Sequence, residues 1–205
     1  MQKFIVVALV LSCSAACWAG AGVMAGPMPE GWFVYRDPAG TRYQAFLDRS
    51  TAFEGEACAV LDSLGAPDVQ FATLMQAIDA SSYQGRRVRL LAHVQSKQAN
   101  NAWLWLRADR ADGTVVAFDN MRDRRIEGTL DWQAYVIVLD IPTEAVTLAY
   151  GVGLRGGGKI WLDDVFLEEV GPSVPVTAAA GLGPHKAPVP EALILPAPAN
   201  LGLEH

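Results

Sequence analysis

The sequence predicts an all-β protein built as a sandwich or a barrel. Short segments that alternate apolar and polar residues, or that are rich in β-branched and aromatic residues, recur through the body of the chain. They lie at 57–62, 69–78, 87–95, 102–109, 114–121, 134–140, 146–154 and 159–169. Turn residues separate them, as at Gly65-Ala66-Pro67, and no long stretch has the period of a helix. Regular short strands with such turns are typical of sandwiches and barrels.

The N-terminal stretch, residues 1–25, has the layout of a secretory signal peptide. Lys3 precedes a short apolar run, and small residues follow with an A-x-A cleavage sequence at 19–21. Two alternatives stay open: lipidation at Cys17, and retention as an uncleaved anchor, because 4–25 is uncharged and just long enough to span a bilayer. All three place the domain outside the cytoplasm, periplasmic or secreted.

Charge argues against a nucleic-acid partner. The formal net charge is −6, whereas phosphates require a positive surface. Arg122, Arg124 and Arg125 cluster, but they alternate with Asp119 and Asp123, which favours a solvated loop.

Cysteine content argues against an internal disulfide. Beyond the signal segment the only cysteine is Cys58, so stability has to come from core packing. Its neighbours in "EACAVLDS" alternate with apolar residues, which predicts a buried small side chain instead of a reactive thiol.

Strand registers predict which side chains share a face. A hairpin between 88–95 and 102–109, with opposed residue numbers summing to 198, avoids setting Arg89 against Arg107. A three-residue loop ending in Gly113 then leads to the next strand and brings Asp119 beside Trp105. The face away from the core is expected to carry His93, Trp103, Trp105, Arg107 and Asp119.

Several segments in order resemble a galactose-binding-like jelly roll, the fold of many carbohydrate-binding modules. They are "GWF", "LDRSTAFEGEACAVLDS", "YQGRRVRLLAHV", "WLWLRADRADGTVVAFDNM", "DWQAYVIVLDIP" and "GKIWLDDVFLEEV". More narrowly, they resemble a bacterial module that is sometimes attached to AraC-type regulators. The resemblance covers residues 31–171 and implies a jelly-roll β-sandwich over 26–171. Because this chain shows no DNA-binding helices, we do not expect the regulator association to carry over.

The C-terminal part is rich in Pro, Ala and Gly, and residues 172–199 are expected to form a connector. The end of the chain is similar to the P-x-N-L-x-F-E segment that closes such modules. The resemblance implies that 200–204 returns as an edge strand beside the "GW" segment. That return would bury Leu201 and Leu203.

Two tryptophans are the strongest candidates for ligand binding. Trp103 and Trp105 on one face would form a platform for a sugar ring, whose C–H face packs on aromatic surface. A few polar groups around such rings are typical of a ligand site. The residues expected to hydrogen-bond hydroxyls are His93, Arg107, Asp119 and Asn120. The alternative is that the tryptophans belong to a second packed layer, covered by the tail or by the 122–132 loop.

The adjacent carboxylates Asp163 and Asp164 are not expected to be catalytic. Neighbouring strand residues point to opposite faces, so the pair cannot flank one glycosidic bond. The resemblance implies a structural calcium near the terminal strands, held by Asp164 with Asp48 or Glu54. The alternative is that one aspartate caps a bulge and accepts hydrogen bonds from backbone amides.

These observations predict an exported, non-catalytic module that binds a carbohydrate or a similar polyhydroxylated ligand. The alternative is a protein-interaction or structural module of the cell envelope that uses the same face without a small ligand. A hydrolase is not expected, because the sequence offers no defensible acid–base pair. No cofactor is expected apart from the calcium. Membrane contact is expected only through a lipid on Cys17 or an uncleaved anchor.

Overall fold

The structure is a computed structural model that describes residues 26–36, 42–177 and 188–205. The predictions for residues 1–25, including Cys17, lie outside this range. Its strands are β1 (Phe33–Arg36), β2 (Gln44–Asp48), β3 (Cys58–Asp62), β4 (Phe71–Asp79), β5 (Arg87–Asp109), β6 (Val115–Asp119), β7 (Ile126–Asp140), β8 (Thr147–Arg155), β9 (Lys159–Val170) and β10 (Ile194–Leu195). Two short 3-10 turns, Ser81–Tyr83 and Glu191–Leu193, are the helical elements of the described residues. None of the helical segments in this range is long and apolar enough to span a bilayer.

The 23-residue strand β5 joins two layers of a sandwich. Its first half pairs with β7 and β9, and its second half pairs with β8 and β6. We call the layer β1–β4–β8–β5–β6 the cleft sheet and the layer β7–β5–β9–β3–β2 the second sheet. Apolar side chains such as Leu90, Leu104 and Leu148 form the core between them. The predicted jelly-roll β-sandwich is confirmed.

The predicted hairpin between 88–95 and 102–109 is wrong, because both segments belong to β5. The six residues between them contain neither glycine nor proline, so the chain stays extended there. Gln98 adopts a left-handed φ of +50°, and the pairing with β7 shifts register around it. Such bulges bend a strand without ending it. The two halves therefore lie in different sheets.

The pairing of β5 with β6 is one residue away from the predicted register. Leu106 pairs with Asp119 and Arg107 with Phe118, because a bulge next to Asp109 adds one residue. A shift of one residue moves every side chain of a strand to the other face. Phe118 therefore shares the outer face with Arg107, whereas Asp119 turns to the inner side.

The C-terminal segment returns to an edge of the cleft sheet, as predicted, but its strand lies within residues 172–199, which were predicted to be a connector. Its paired strand is β10, which runs parallel to the end of β4 and continues the edge that β1 occupies. Residues 200–204 form a turn instead of the predicted strand. The Asn200 side chain accepts a hydrogen bond from the backbone N–H of Glu204, which stabilises the turn. Leu203 is fully buried and Leu201 half-buried, as the resemblance implied.

Cys58 occupies the buried position that the sequence predicts. Its side chain is completely inaccessible, and Sγ lies 2.9 Å from the carbonyl oxygen of Thr51. Burial, with smaller contributions from nearby carboxylates such as Asp163, raises the pKa of the thiol to about 12. The thiol is therefore protonated at neutral pH and packs as a small apolar group.

Candidate functional site

A cleft of about 1070 Å³ lies on the outer face of the cleft sheet. Trp103 and Trp105 line it, and each pairs with a glycine of β8: Trp103 with Gly153 and Trp105 with Gly151. A Cβ atom added to Gly153 would lie 2.3 Å from the Trp103 ring, so the indole lies directly over the glycine. The missing side chain of Gly153 thus provides the space in which the Trp103 ring lies, whereas a Cβ atom on Gly151 would meet the backbone of Leu74 and Met75 in β4. The other aromatic residues that line the cleft are Phe33, Tyr35, Phe71 and Phe118.

The two tryptophans have different environments. Trp105 is 6% exposed, and its Nε1 donates a hydrogen bond of 2.7 Å to the Thr73 hydroxyl. That hydroxyl donates in turn to the carbonyl of Val152. Trp103 is half-buried and has more ring surface open to the cleft. Trp105 therefore fits better as a packed residue of the sheet. Trp103 fits better as a residue that contacts a ligand.

Arg107 and Asn120 lie in the cleft with the tryptophans, as predicted. The Arg107 guanidinium lies 5.9 Å from the centroid of the Trp105 ring. It also pairs with the buried carboxylate of Asp109, at 2.9 Å from Nη2 to Oδ2. Burial raises the pKa of Asp109, although Arg107 opposes the shift. The backbone carbonyl oxygen of Asn120 accepts a 2.7 Å hydrogen bond from Nη1 of Arg125.

Further arginines line the cleft, and the sequence analysis missed them. The Arg125 guanidinium lies 4.9 Å from the centroid of the Trp103 ring, and Arg155 lies 5.8 Å from that of Phe71. Arg122 is exposed at the rim. The interpretation of this cluster as a diluted, solvated loop fits only Arg124, which pairs with Asp119 and Asp123. No local sequence pattern indicated Arg155 as a cleft residue, because it reaches this face only through the pairing of β8 with β5.

His93 does not belong to the cleft, contrary to the prediction. It lies in the first half of β5, between β7 and β9 of the second sheet. Its ring stacks on Phe53 with a centroid distance of 3.6 Å, and Nδ1 lies 3.1 Å from the carboxylate of Asp164. The physical reason is the continuous β5 strand, which carries residues 87–95 into the other layer.

Asp119 also does not face the cleft, since the bulge in the β5–β6 pair turns it inward. Its Oδ2 accepts hydrogen bonds from Arg124 and from the Thr177 hydroxyl. Its Oδ1 accepts a 2.8 Å bond from the backbone N–H of Met121. Asp119 therefore connects the 120–125 loop to the start of the tail.

The Asp163 carboxylate accepts hydrogen bonds from backbone amides, which is the alternative to a calcium site. Its Oδ2 accepts hydrogen bonds from the N–H groups of Phe53 and Glu54, at 2.7 and 3.1 Å, and its Oδ1 accepts one from Asp164. Burial raises its pKa, and these three bonds oppose the shift. Asp164 has a left-handed φ of +48°, and the β5–β9 register shifts between Leu91 and His93. The aspartates therefore lie at a bulge.

The residues proposed for calcium do not form a site. Asp164 faces His93, whereas the Asp48 carboxylate accepts a 3.0 Å hydrogen bond from Trp161 Nε1. The backbone N–H of Glu54 donates a hydrogen bond to Oδ2 of Asp163. In the described ranges, no three His, Cys, Asp or Glu side chains are grouped so that they could hold a metal ion. The carboxylates of Asp48 and Asp164 are engaged with protein groups, and the described residues do not fit the implied calcium.

The chain has the jelly-roll fold that solved carbohydrate-binding modules also have. The chain is similar to the CBM22-1 xylan-binding domain of Paenibacillus barcinonensis Xyn10C, with a TM-score of 0.53 and 9% identity over 74% of this chain and 90% of that one. It is also similar to a Stig cyclase from Fischerella sp. TAU, with a TM-score of 0.55 and 18% identity over 71% of this chain and 88% of that one. At these identities the likeness shows the fold alone.

A curated relative matches the chain in sequence. It is described as an uncharacterized HTH-type transcriptional regulator, YbfP, from Bacillus subtilis strain 168, and it is 41% identical over 138 residues. The match covers 66% of this chain and 47% of the relative, so the chain spans about half the length of that protein. No protein-family model matches the chain. The resemblance to a module that is sometimes attached to AraC-type regulators stays a prediction, as does the expectation that this association does not carry over to the present chain.

Proposed function

We propose that the cleft binds a carbohydrate or a similar polyhydroxylated ligand and does not convert it. One observation carries the proposal: six aromatic side chains line one concave cleft, in which the Trp103 ring lies directly over Gly153. Aromatic rings offer flat apolar surfaces to the C–H faces of sugars, and neighbouring polar groups such as Asn101 and Asn120 can bond hydroxyls. The jelly-roll likeness to a xylan-binding domain supports the same ligand class.

The composition of the cleft supports binding without catalysis. Among the described residues that line it, there is no Asp, Glu, His or Cys side chain. Glycoside hydrolysis generally requires two carboxyl groups that flank the scissile bond. Asp163, Asp164 and His93, the titratable groups that the sequence singled out, lie in the second sheet.

Trp103→Ala is expected to weaken saccharide binding by tenfold or more. The substitution removes the more open of the two tryptophan rings of the cleft, and central aromatic residues contribute roughly 2 kcal/mol or more at binding sites. Titration of intrinsic fluorescence, or calorimetry, with a panel of neutral and acidic oligosaccharides measures the effect. Trp132→Ala is the matched control, because Trp132 packs edge-on against Phe53 in the second sheet.

Equal loss of binding in both tryptophan variants would contradict the assignment of the cleft. A folded wild-type protein that binds no saccharide would contradict the proposed ligand class. It would favour the alternative of a protein-interaction module, for which the same face would be the contact surface.

We also propose that the module acts outside the cytoplasm, on the basis of the signal-peptide pattern in residues 1–25. Expression of the full chain in a Gram-negative host is expected to give a shortened protein in the periplasmic fraction. N-terminal sequencing would place the new terminus near residues 20–26. An intact N-terminus in the cytoplasmic fraction would contradict the proposal.

A further inference from the structure

The cleft has a charge opposite to that of the whole chain. The chain contains 22 acidic and 16 basic residues apart from histidine. The described residues that line the cleft nevertheless include four arginines and no carboxylate. A positive concave surface on an acidic protein attracts anions locally, because field lines concentrate in a cleft with apolar walls.

Three of these arginines lack a carboxylate partner. Arg107 pairs with Asp109, but Arg122, Arg125 and Arg155 form no ion pair within the part of the chain that the structure describes. Arginines elsewhere on the surface commonly have such a partner. The paired ones outside the cleft are Arg86, Arg87, Arg89, Arg110 and Arg124.

Arg125 is held in place before any ligand arrives. Its Nη1 donates to the carbonyl of Asn120 at 2.7 Å, and its guanidinium lies over the Trp103 ring. Burial lowers its pKa, and the positive charges of Arg155 and Arg122 lower it further, while Asp119 and Asp123 oppose the shift. Arg155 and Arg122 are therefore close enough to Arg125 for their positive charges to repel it. A bound anion would relieve this repulsion, and the planar guanidinium suits oxyanions.

We infer that the ligand is an acidic saccharide, which packs on the aromatic walls and places an oxyanion between Arg125 and Arg155, with Arg122 at the entrance. This inference rests on the proposed function and specifies its ligand class. A carboxylate of a uronic acid and a sulfate ester share the required chemistry. The aromatic walls explain why a sugar ring is preferred to a bare ion.

Matched pairs of probes test the inference with the purified full chain. Oligogalacturonate, oligomannuronate and a glucuronate-containing oligosaccharide are each compared with their carboxyl-reduced, neutral forms, and a sulfated oligosaccharide forms a second arm. We expect at least one acidic form to bind roughly tenfold or more tightly than its neutral counterpart. We also expect its affinity to fall as salt increases, while that of the neutral form stays constant.

Arginine variants locate the effect. Arg155→Gln and Arg125→Gln are expected to remove most of the preference for the acidic form. Arg89→Gln, which removes a paired arginine of the second sheet, is expected to leave it unchanged. An equal effect of Arg89→Gln would show a general charge effect and would overturn the assignment to the cleft.

The outcomes separate this inference from the proposed function. Binding of a neutral form as tightly as its acidic partner would overturn the inference and leave saccharide binding intact. Binding of the sulfated probe alone would support an acidic saccharide with sulfate as the oxyanion. Absence of binding by every saccharide would refute both. Tighter binding of a short single-stranded oligonucleotide than of any saccharide would also overturn the inference, since stacking and arginines serve that ligand too.

Discussion

Gly153→Ala is expected to abolish ligand binding and to lower the free energy of unfolding by about 1–3 kcal/mol, the usual cost of overpacking. The new methyl group would lie 2.3 Å from the Trp103 ring, a distance that no pair of carbon atoms tolerates. The indole would have to move out of its position over Gly153. Its contact with the Arg125 guanidinium would then be lost. Chemical denaturation and saccharide titration measure the two effects.

Two further variants identify the cause of the Gly153→Ala effect. Gly157→Ala is the matched control, because its Cβ would lie 3.7 Å from the nearest heavy atom, in ordinary contact. In the double variant Gly153→Ala/Trp103→Ala the clash is absent, so the stability loss should be smaller than the sum of the two single losses. Additive losses, or a Gly153→Ala protein that binds like the wild type, would refute the steric explanation.

Gln76→Leu is expected to destabilise the protein by roughly 2–5 kcal/mol and to detach the C-terminal segment. Gln76 is completely buried, and its side chain connects the core to the tail. Its Oε1 accepts hydrogen bonds from the Tyr150 hydroxyl at 2.6 Å and from the Ala199 N–H at 3.0 Å. Its Nε2 donates to the carbonyl of Ala199 at 2.8 Å. Leucine leaves all of these groups without a partner.

Denaturation curves and limited proteolysis of the C-terminal segment measure the Gln76→Leu effect. Tyr150→Phe is the matched control: it removes one hydroxyl but keeps both bonds from Gln76 to Ala199, so it should cost about 1 kcal/mol and leave the tail resistant. A tail that stays resistant to protease in Gln76→Leu would show that β10 and Leu203 hold it without Gln76.

Four residues of the candidate site could be predicted, namely Trp103, Trp105, Arg107 and Asn120, and local signals were sufficient for the first three. Trp103, Trp105 and Arg107 alternate within one strand, so they share a face whatever the pairing is. His93 and Asp119 were assigned by pairing registers, and both assignments failed. One failed because β5 continues where a hairpin was expected, and the other because a bulge next to Asp109 adds a residue.

The arginines show a different limit of sequence reasoning. Arg122, Arg124 and Arg125 looked equivalent beside Asp119 and Asp123, yet the acidic residues neutralise Arg124 and leave the other two facing the cleft. Ion pairing depends on side-chain direction, which the turn at 120–125 determines. Composition alone cannot reveal that direction.

Local sequence patterns were sufficient for the all-β class, the burial of Cys58 and the shared face of the two tryptophans, because alternation and composition act over a few neighbouring residues. The jelly-roll fold and the burial of Leu203 were implied by the family resemblance. Only the tertiary structure decided which other residues join that face. Gly153 and Arg155 reach it through the pairing of β8, and His93 leaves it through the length of β5. Strand pairing over long separations, with its bulges, places side chains in a β-sandwich, and no local pattern encodes it.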